Sequence, residues 1–168
     1  MGNDTGSSSG DRTISPASQD VGLVGLGAMG RGMAASLRRA GHRLHVYDVR
    51  AEAAAAFAAE GGQAHASPAE VARHCQVLIS VVVNAEQTEQ LLFGPEGCAA
   101  AMRSGSVFVM CSTVDPRWSA TLGQRLEKQG ILYLDAPISG GAARAAQGQI
   151  TMMTAGAPEA YALCEPLL

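Results

Sequence analysis

The chain has 168 residues, a net charge of −3 and 47% hydrophobic residues, enough apolar material for one domain of ordinary size. The sequence has no basic stripe, which argues against nucleic acid as a partner. No apolar run reaches the roughly 18 residues of a membrane span, so we expect no membrane partner. The four cysteines form no CxxC pair, which favours a reducing compartment and a cytoplasmic protein.

The first residues of the chain cannot bury much surface. Residues 1–19 are rich in Gly, Ser, Asp and Thr, and they lack the apolar segment of a secretory signal. We interpret residues 1–19 as a flexible leader and residues 20–168 as one folded domain.

From residue 21 onward, apolar runs alternate with helical patterns. The patterns predict strands at residues 21–26, 44–48, 63–66, 77–83, 106–110, 131–135 and 149–154. They predict helices at residues 29–40, 51–60, 85–93, 98–103 and 116–129, one that Ser67 caps, and one from Pro158 onward. Such alternation is typical of βαβ units, and the run VLISVVV fits a strand covered on both faces. The sequence therefore predicts an α/β, Rossmann-like, doubly wound and mostly parallel sheet with helices on both faces.

A glycine-rich turn joins the first predicted strand to the first predicted helix. Its three glycines form GxGxxG, which is a weak signal alone but stronger between a strand and a helix. The first glycine would allow the tight turn, the second would let a pyrophosphate approach the main chain, and the third would let helix and strand pack closely. The helix amino terminus favours phosphate oxygens. We predict a dinucleotide site at Gly25, Leu26, Gly27, Ala28, Met29 and Gly30; the alternative is a tight turn without a ligand.

An acidic residue ends the second predicted strand. Asp48 follows Gly30 by 18 residues, where a carboxylate can accept hydrogen bonds from the adenosine ribose. A carboxylate would repel a 2′-phosphate, so we predict NAD rather than NADP as the cofactor. Arg50 leaves the alternative open, because a guanidinium can bind that phosphate.

Four stretches, in order, carry a resemblance that covers residues 21–168. They read VGLVGLGAMGRGMAASLRRAGH, VVVNAEQTEQLLFGPEG, CSTVDP and DAPISGGAARAAQGQITMMTAG. Together they resemble the β-hydroxyacid dehydrogenase family, whose members include 3-hydroxyisobutyrate dehydrogenases. NAEQTEQLLFG, CSTV and the SGG loop with Arg144 look most like the L-threonate dehydrogenase branch.

The resemblance implies further cofactor residues. Val82 and Val83 match a segment that lines the cofactor cleft, although the family's usual proline is missing here. Thr113 matches a residue that contacts the nicotinamide half of the cofactor. A cap for the following turn is an alternative role for Thr113, and one that could coexist with binding.

The resemblance also implies where substrate binds. In the family an SGG segment holds the carboxylate of a small hydroxy acid, here Ser139, Gly140 and Gly141; a flexible turn is the alternative.

The catalytic lysine of the family lies beyond the cofactor domain, on the helix that leads into an all-helical domain. The resemblance therefore implies a catalytic lysine beyond Leu168, the last residue of this chain. Lys128 is the one lysine of this chain and lies in a predicted surface helix, so we assign no catalytic residue here. We expect the helical domain, absent from this chain, to make the full-length protein a homo-oligomer.

Three functions remain to be compared. As part of a larger protein, the chain would serve hydride transfer between NAD and an L-threonate-like, 3-hydroxyisobutyrate-like or tartronate semialdehyde substrate. A non-catalytic NAD-binding sensor is the alternative. We expect no metal, because His42, His45, His65 and His74 have no ligand spacing. The sequence disfavours a serine hydrolase, because residues 20–168 contain no GxSxG elbow and the GSSSG at residues 6–10 lies in the leader.

Overall fold

A seven-stranded sheet forms the centre of the computed structural model, which describes residues 18–168. The predicted leader, residues 1–19, lies outside the described residues except for its last two. The Ser18 hydroxyl donates a hydrogen bond to the carbonyl of Gly41, and the Gln19 N–H donates to Nδ1 of His42. Among the described residues, contacts with the domain therefore begin at Ser18.

The strands and helices follow one another as the sequence predicts, with additions near the carboxyl terminus. The strands are β1 (Asp20–Val24), β2 (Arg43–Tyr47), β3 (Gln63–Ala64), β4 (Val77–Ser80), β5 (Val107–Met110), β6 (Leu132–Asp135), β7 (Ile138–Ser139), β8 (Thr151–Met152) and β9 (Ala155–Gly156). The helices are α1 (Ala28–Arg39), α2 (Ala51–Ala59), α3 (Pro68–His74), α4 (Ala85–Phe93), α5 (Pro116–Glu127), α6 (Gly141–Gln147) and α7 (Pro158–Cys164).

The strand order of the sheet is β3-β2-β1-β4-β5-β6-β9. The first six strands are parallel to their neighbours, and β9 pairs antiparallel with β6. β7 and β8 form a separate antiparallel pair. The chain moves outward from β1 in one direction to β3, then returns to β4 beside β1 and continues to β6. This reversal is the switch point at which open α/β sheets bind ligands.

Both faces of the sheet are covered, as the prediction of a doubly wound fold requires. In β4 the side chains of Val77 and Ile79 enter one apolar cluster, whereas Leu78 enters the other. The first cluster includes residues of α1, α2, α6 and α7, and the second includes residues of α3, α4 and α5. Because β4 is buried on both faces, its sequence is apolar throughout rather than alternating. The predicted fold class is confirmed.

Side-chain caps begin three of the helices. The Ser67 hydroxyl accepts a hydrogen bond from the Glu70 N–H at the start of α3. Asp115 accepts from the first N–H groups of α5, and Asn84 accepts from the Gln87 N–H in α4. Each cap satisfies a donor that has no acceptor within the helix. The cap that we predict at Ser67 is therefore present.

The structure corrects four of the predicted elements. The strand predicted at 77–83 ends at Ser80, because the next residues leave the sheet and border a cleft. The predicted helix at 98–103 is a single 3-10 turn at Ala99–Ala101. The predicted strand at 149–154 shortens to β8, and its partner β7, the helix α6 and the strand β9 are not predicted. The segment that contains them is rich in Gly and Ala, so its apolar periodicity is weak.

The predicted last helix ends before the last residue of the chain. It is α7, which stops at Cys164, and a 3-10 turn at Glu165–Leu167 follows it. Pro166 interrupts the helical pattern here, because a proline lacks the N–H that an α-helix would use. Leu168 follows this turn, and its side chain is 56% exposed.

Candidate cofactor site

A cleft of about 550 Å³ opens at the carboxyl ends of β1, β2 and β4, beside the switch point. This volume lies within the range of small-molecule and cofactor sites. Five of the predicted cofactor residues line it, namely Gly25, Gly27, Asp48, Val82 and Val83. The other predicted cofactor residues of this segment lie in the glycine turn or in the first turn of α1, namely Leu26, Ala28, Met29 and Gly30.

The three glycines of the turn differ in what surrounds them. Gly25 has a φ of +98°, and a Cβ there would collide with the carbonyl oxygen of Val81. A Cβ on Gly30 would overlap the carbonyl oxygen of Gly25. A Cβ on Gly27 would meet no atom within 4 Å. The fold therefore requires glycine at the first and third positions, whereas the second is free on the side that faces the cleft.

The amino terminus of α1 begins at this open position. Gly27 is the N-cap of α1, provides no side-chain cap, and is followed by a first turn without an acidic residue. The first N–H groups of a helix have no acceptor within it and carry partial positive charge. The Gly25 N–H donates to the carbonyl of Tyr47 at 2.9 Å, which holds the turn against β2. The arrangement fits a phosphate, because an anion can reach the main chain at Gly27 without displacing a side chain.

Asp48 connects the glycine turn to the end of β2. Its side chain is buried, and its Oδ2 accepts a hydrogen bond from the Leu26 N–H at 2.6 Å. Its Oδ1 accepts from the N–H of Arg50 at 2.9 Å and from the Nε of Arg50 at 3.1 Å. Burial raises the pKa of Asp48, but the hydrogen bonds from Arg50 and Leu26 outweigh it, so the pKa lies below its usual value. The carboxylate is charged at neutral pH, and Oδ2 retains acceptor capacity for a hydroxyl.

The Arg50 side chain closes one side of the turn. Besides Asp48, its guanidinium donates to the carbonyl of Leu26 at 3.2 Å. The side chain is 55% exposed, and it borders the cleft. Sequence reasoning treats Arg50 only as a possible phosphate ligand, whereas the structure also shows it fixing the orientation of Asp48.

The opposite wall of the cleft is formed by the residues that follow β4. Val82 and Val83 border the cleft, and the Val83 side chain is 78% exposed. The Ser112 hydroxyl donates to the carbonyl of Val82 at 2.7 Å, and the Val83 N–H donates to the side-chain oxygen of Gln87 at 2.9 Å. These two bonds hold the segment in place without the proline that the family usually has there. Ser112 is buried and has this structural role.

The predicted substrate and nicotinamide residues lie farther along the same edge of the sheet. Thr113 is exposed and follows β5, and Ser139 ends β7, which follows β6. Gly140 and Gly141 begin α6 with φ values of +130° and +80°, which favour glycine at both positions. None of these four residues lines the 550 Å³ cleft. Their roles as ligands therefore stay predictions.

The catalytic lysine that the resemblance implies falls outside the described residues. Its expected place is beyond Leu168, which is the last residue of the chain and does not line the cleft. Leu168 instead borders a smaller cavity of about 260 Å³, together with Met33 and Leu37 of α1. The position of the lysine beyond Leu168 therefore stays a prediction, and no residue described here takes its role.

Sequence reasoning missed several residues of the cleft, of which Pro68 and Gln87 are examples. Pro68 and Gln87 border it from the first turns of α3 and α4. A sequence signal for both exists, because a helix that follows a parallel strand begins at the ligand-binding edge of the sheet. The capping residues Ser67 and Asn84 identify where those helices begin.

The histidines are arranged differently from the sequence-based interpretation. His45, His65 and His74 stack on one another near β2, although 20 and 9 residues separate them along the chain. Within residues 18–168, no group of three or more His, Cys, Asp or Glu side chains could hold a metal ion. No helix in this described part is long and apolar enough to cross a membrane.

Comparison with known proteins identifies the family. Residues 20–168 match the family model described as the NAD binding domain of 6-phosphogluconate dehydrogenase. The chain belongs to this family. It is therefore an NAD-binding domain, and the fit of the glycine turn to a phosphate agrees with that conclusion.

Three relatives confirm the predicted resemblance to hydroxyacid dehydrogenases. An L-threonate dehydrogenase of Cupriavidus necator is 53% identical over 151 residues, which cover 90% of this chain and 51% of that protein. The mitochondrial 3-hydroxyisobutyrate dehydrogenase of Mus musculus is 35% identical, with 88% and 44% covered. A crystal structure of 3-hydroxyisobutyrate dehydrogenase from Salmonella typhimurium is 40% identical with a TM-score of 0.85, covering 89% of this chain and 52% of that one. The chain thus spans about half the length of the relatives it matches.

Proposed function

We propose that this chain is the cofactor-binding part of a dehydrogenase that transfers a hydride between NAD and a small hydroxy acid. The single observation that carries the proposal is the open face of Gly27, which adjoins the amino terminus of α1 and borders the cleft beside Asp48. A pyrophosphate needs bare main chain, and an adenosine ribose needs an acceptor next to it. The two features are adjacent, because the Leu26 N–H of the glycine turn donates to the carboxylate of Asp48.

Each group along the edge of the sheet has a separate task in this proposal. Gly27 and the first turn of α1 bind the pyrophosphate, Asp48 accepts hydrogen bonds from the ribose, and Thr113 orients the nicotinamide half. NAD supplies the hydride acceptor when it is bound. The apolar side chains of Val82 and Val83, which border the cleft, would pack against the bound cofactor.

We place the substrate at the far end of the same edge. Ser139, Gly140 and Gly141 would bind its carboxylate through a hydroxyl and two main-chain N–H groups. A polyhydroxylated acid of the L-threonate type is the substrate class that the 53% identity to an L-threonate dehydrogenase supports. 3-Hydroxyisobutyrate and tartronate semialdehyde are the alternative substrates.

Proton transfer to and from the substrate needs an acid/base group, and we assign none among residues 18–168. Lys128 is exposed at the end of α5 and does not line the cleft. We propose that the proton donor and acceptor is a lysine beyond Leu168, in the part of the full-length protein outside this chain. The pH dependence of turnover by the full-length protein would report the pKa of that group.

The preference for NAD over NADP follows from Asp48. A 2′-phosphate near this carboxylate would experience like-charge repulsion in a partly desolvated site. Arg50 does not offset this charge freely, because its guanidinium is already bonded to Asp48 and to the carbonyl of Leu26. We therefore propose NAD as the physiological cofactor.

A substitution at Gly27 tests the proposed binding mode. Because a Cβ there meets no protein atom within 4 Å, Gly27→Val should fold normally and lose most of its affinity for NAD. Ala56→Val, on the exposed face of α2 away from the cleft, is the matched control and should bind NAD as the parent does. Titration by calorimetry measures both; an unchanged dissociation constant for Gly27→Val would remove the proposal.

The activity itself is tested with the full-length protein. NADH formation should be detected with L-threonate, and it should fall when Ser139 is replaced by Ala. NAD binding without turnover of any hydroxy acid in a panel would favour the non-catalytic sensor. Each of these outcomes can be distinguished from loss of NAD binding.

We also propose a cytoplasmic location and a homo-oligomeric full-length protein. Cys75, Cys98, Cys111 and Cys164 are all buried free thiols, an arrangement typical of proteins kept in a reducing compartment. The subunit contacts would come from the part of the full-length protein outside this chain. Light scattering of the full-length protein and of the 168-residue chain would test this.

A further inference from the structure

Three imidazole rings stack at the edge of the sheet that leads to the cofactor cleft. His45 lies in β2, His65 directly follows β3, and His74 ends α3. The ring centroids are 5.2 Å apart for His45 and His65, 5.1 Å for His45 and His74, and 4.8 Å for His65 and His74. We call these three residues the histidine stack. The His74 ring stacks on both other rings, with interplanar angles of 7° to His45 and 25° to His65, whereas His45 and His65 are tilted by 31° and meet at their ring nitrogens. Within residues 18–168, no group of three or more His, Cys, Asp or Glu side chains, this one included, could hold a metal ion.

The hydrogen bonds of the stack limit how many protons it can hold. Nδ1 of His45 lies 3.0 Å from Nε2 of His65, and Nε2 of His45 lies 3.1 Å from Oδ1 of Asp20. The carboxylate can only accept, so Nε2 of His45 donates to Asp20. The bond between the two histidines then needs one N–H and one lone pair. A first added proton can be accommodated, because His45 then donates from both nitrogens; a second places two N–H groups opposite each other and breaks the bond.

Few negative charges are available to stabilise further protons. The charged side chains on the surrounding elements are Asp20 on β1, Arg43 on β2, Glu70 and Arg73 on α3, and Arg103, whose guanidinium donates to the carbonyl of Arg73. Asp20 is paired with Arg43 through two hydrogen bonds, which hold the pKa of Asp20 well below its usual range. Cys75, at the end of α3, is neutral, because burial raises the pKa of its thiol to about 12. Among these described neighbours, Glu70 is the carboxylate left to offset a second charge on the stack.

His65 resists protonation in these surroundings. Burial, and then the neighbouring His45 and His74, lower the pKa of His65, whereas Glu70 raises it by a smaller amount. In the unfolded chain, His65 has a pKa near the usual 6.5 and therefore takes up its proton first as the pH falls. The stabilising contribution is therefore complete above that value and is lost as the pH falls below it, through the lower pKa of the folded chain.

The elements that carry the stack also form the cofactor cleft. β2 continues from His45 to Tyr47 and Asp48, both of which border the cleft. α3 begins at Pro68 in the cleft and ends at His74 in the stack, a span of about 10 Å for seven residues. The His65 N–H donates to the carbonyl of Val46, and this bond holds His65 against β2. A displacement of β2, β3 or α3 therefore reaches the adenosine side of the cleft.

We propose that the histidine stack is a pH sensor: acidification places charge repulsion between β2, β3 and α3, loosens this edge of the sheet and weakens dinucleotide binding. The stability part of this inference is independent of the proposed function, and the binding part rests on it. A neutral stack would hold the cleft in its binding form, and a doubly protonated stack would not.

Urea unfolding and NAD titration at about pH 8 and about pH 5.5 test the sensor on the 168-residue chain. The dissociation constant for NAD should rise about three- to tenfold at the lower pH, and the urea midpoint should fall. His65→Gln combined with His74→Gln should remove most of this dependence. His42→Gln is the matched control, because His42 is a histidine of the same domain that lies outside the stack, and this variant should keep the full dependence.

The two hypotheses fail in different ways. No NAD binding by the folded chain at about pH 8 would overturn the proposed function and leave the stability prediction to be judged on urea midpoints alone. The sensor hypothesis would be overturned if the urea midpoint were the same at both pH values. It would also be overturned if the urea midpoint of the double variant fell as steeply with pH as that of the parent. Zinc added during the titration should change neither result, because no group of three or more His, Cys, Asp or Glu side chains within residues 18–168 could hold a metal ion.

Discussion

Replacing Asp48 with Asn should weaken both the fold and the discrimination against NADP. The amide oxygen can still accept from the Leu26 N–H, but the amide NH₂ then faces the N–H and the Nε of Arg50, which lose their acceptor at 2.9 Å and 3.1 Å. A buried donor without a partner costs about 1–3 kcal/mol, which is the loss that we expect in the free energy of unfolding at neutral pH. Removal of the negative charge should lower the preference for NAD over NADP about tenfold or more, because like charges brought together cost several kcal/mol.

The pH dependence separates this explanation from simple misfolding. Because the pKa of Asp48 is lowered in the folded chain, its contribution is present above the usual value of 3.8 and is lost as the pH falls below it. The difference between the parent and Asp48→Asn should therefore shrink on acidification. Urea denaturation at several pH values and titrations with both cofactors measure the two effects. Asp115→Asn, an exposed carboxylate whose Asn form is an equally good cap, is the control. The reasoning would be refuted if the difference in unfolding free energy between the parent and Asp48→Asn did not depend on pH and the ratio of the affinities for NAD and NADP were unchanged.

Three further substitutions test local features of the fold. Gly30→Ala should destabilise the chain by about 3 kcal/mol, because its Cβ overlaps the carbonyl oxygen of Gly25, whereas Gly27→Ala should change stability by less than about 0.5 kcal/mol. Thermal unfolding measures both. Equal losses of stability in the two variants would contradict the conclusion that the fold requires glycine at position 30 but not at position 27. Asp115→Ala removes the acceptor for two N–H groups at the start of α5 and should cost about 1 kcal/mol. It should leave the affinity for NAD unchanged, so a changed affinity would connect α5 to the cleft.

Local signals predicted the elements that have clear boundaries. The helix predicted at residues 85–93 is α4, because Asn84 caps its start and Gly94-Pro95 ends it. The strand predicted at 77–83 extends too far, since Val81, Val82 and Val83 are as apolar as the strand before them. Their apolar side chains serve the cleft instead of the sheet, and a sequence pattern cannot separate these two reasons for being apolar.

Long-range relations explain what the sequence could not predict. The pairing of β7 with β8 brings together Ile138 and Met152, but neither strand exceeds two residues, so neither has a measurable period. The histidine stack depends on the parallel register of β2 with β3, which places His45 opposite Gln63 and His65 just beyond it. Such a register is a property of the folded sheet. The glycine turn was predictable because its three positions lie within six residues of one another.

The order of strands determines which half of a bound dinucleotide each feature can affect. Asp48 and the histidine stack lie on the β2 side of the glycine turn, whereas Thr113 and Ser139 follow β5 and β6 on the other side. The turn itself, at the switch point between β1 and β4, separates them. In the proposed binding mode, acidification acts on the adenosine half and leaves the substrate carboxylate site intact. A pH effect transmitted by the histidine stack should therefore appear in the affinity for NAD, and the affinity for the hydroxy acid should remain unchanged.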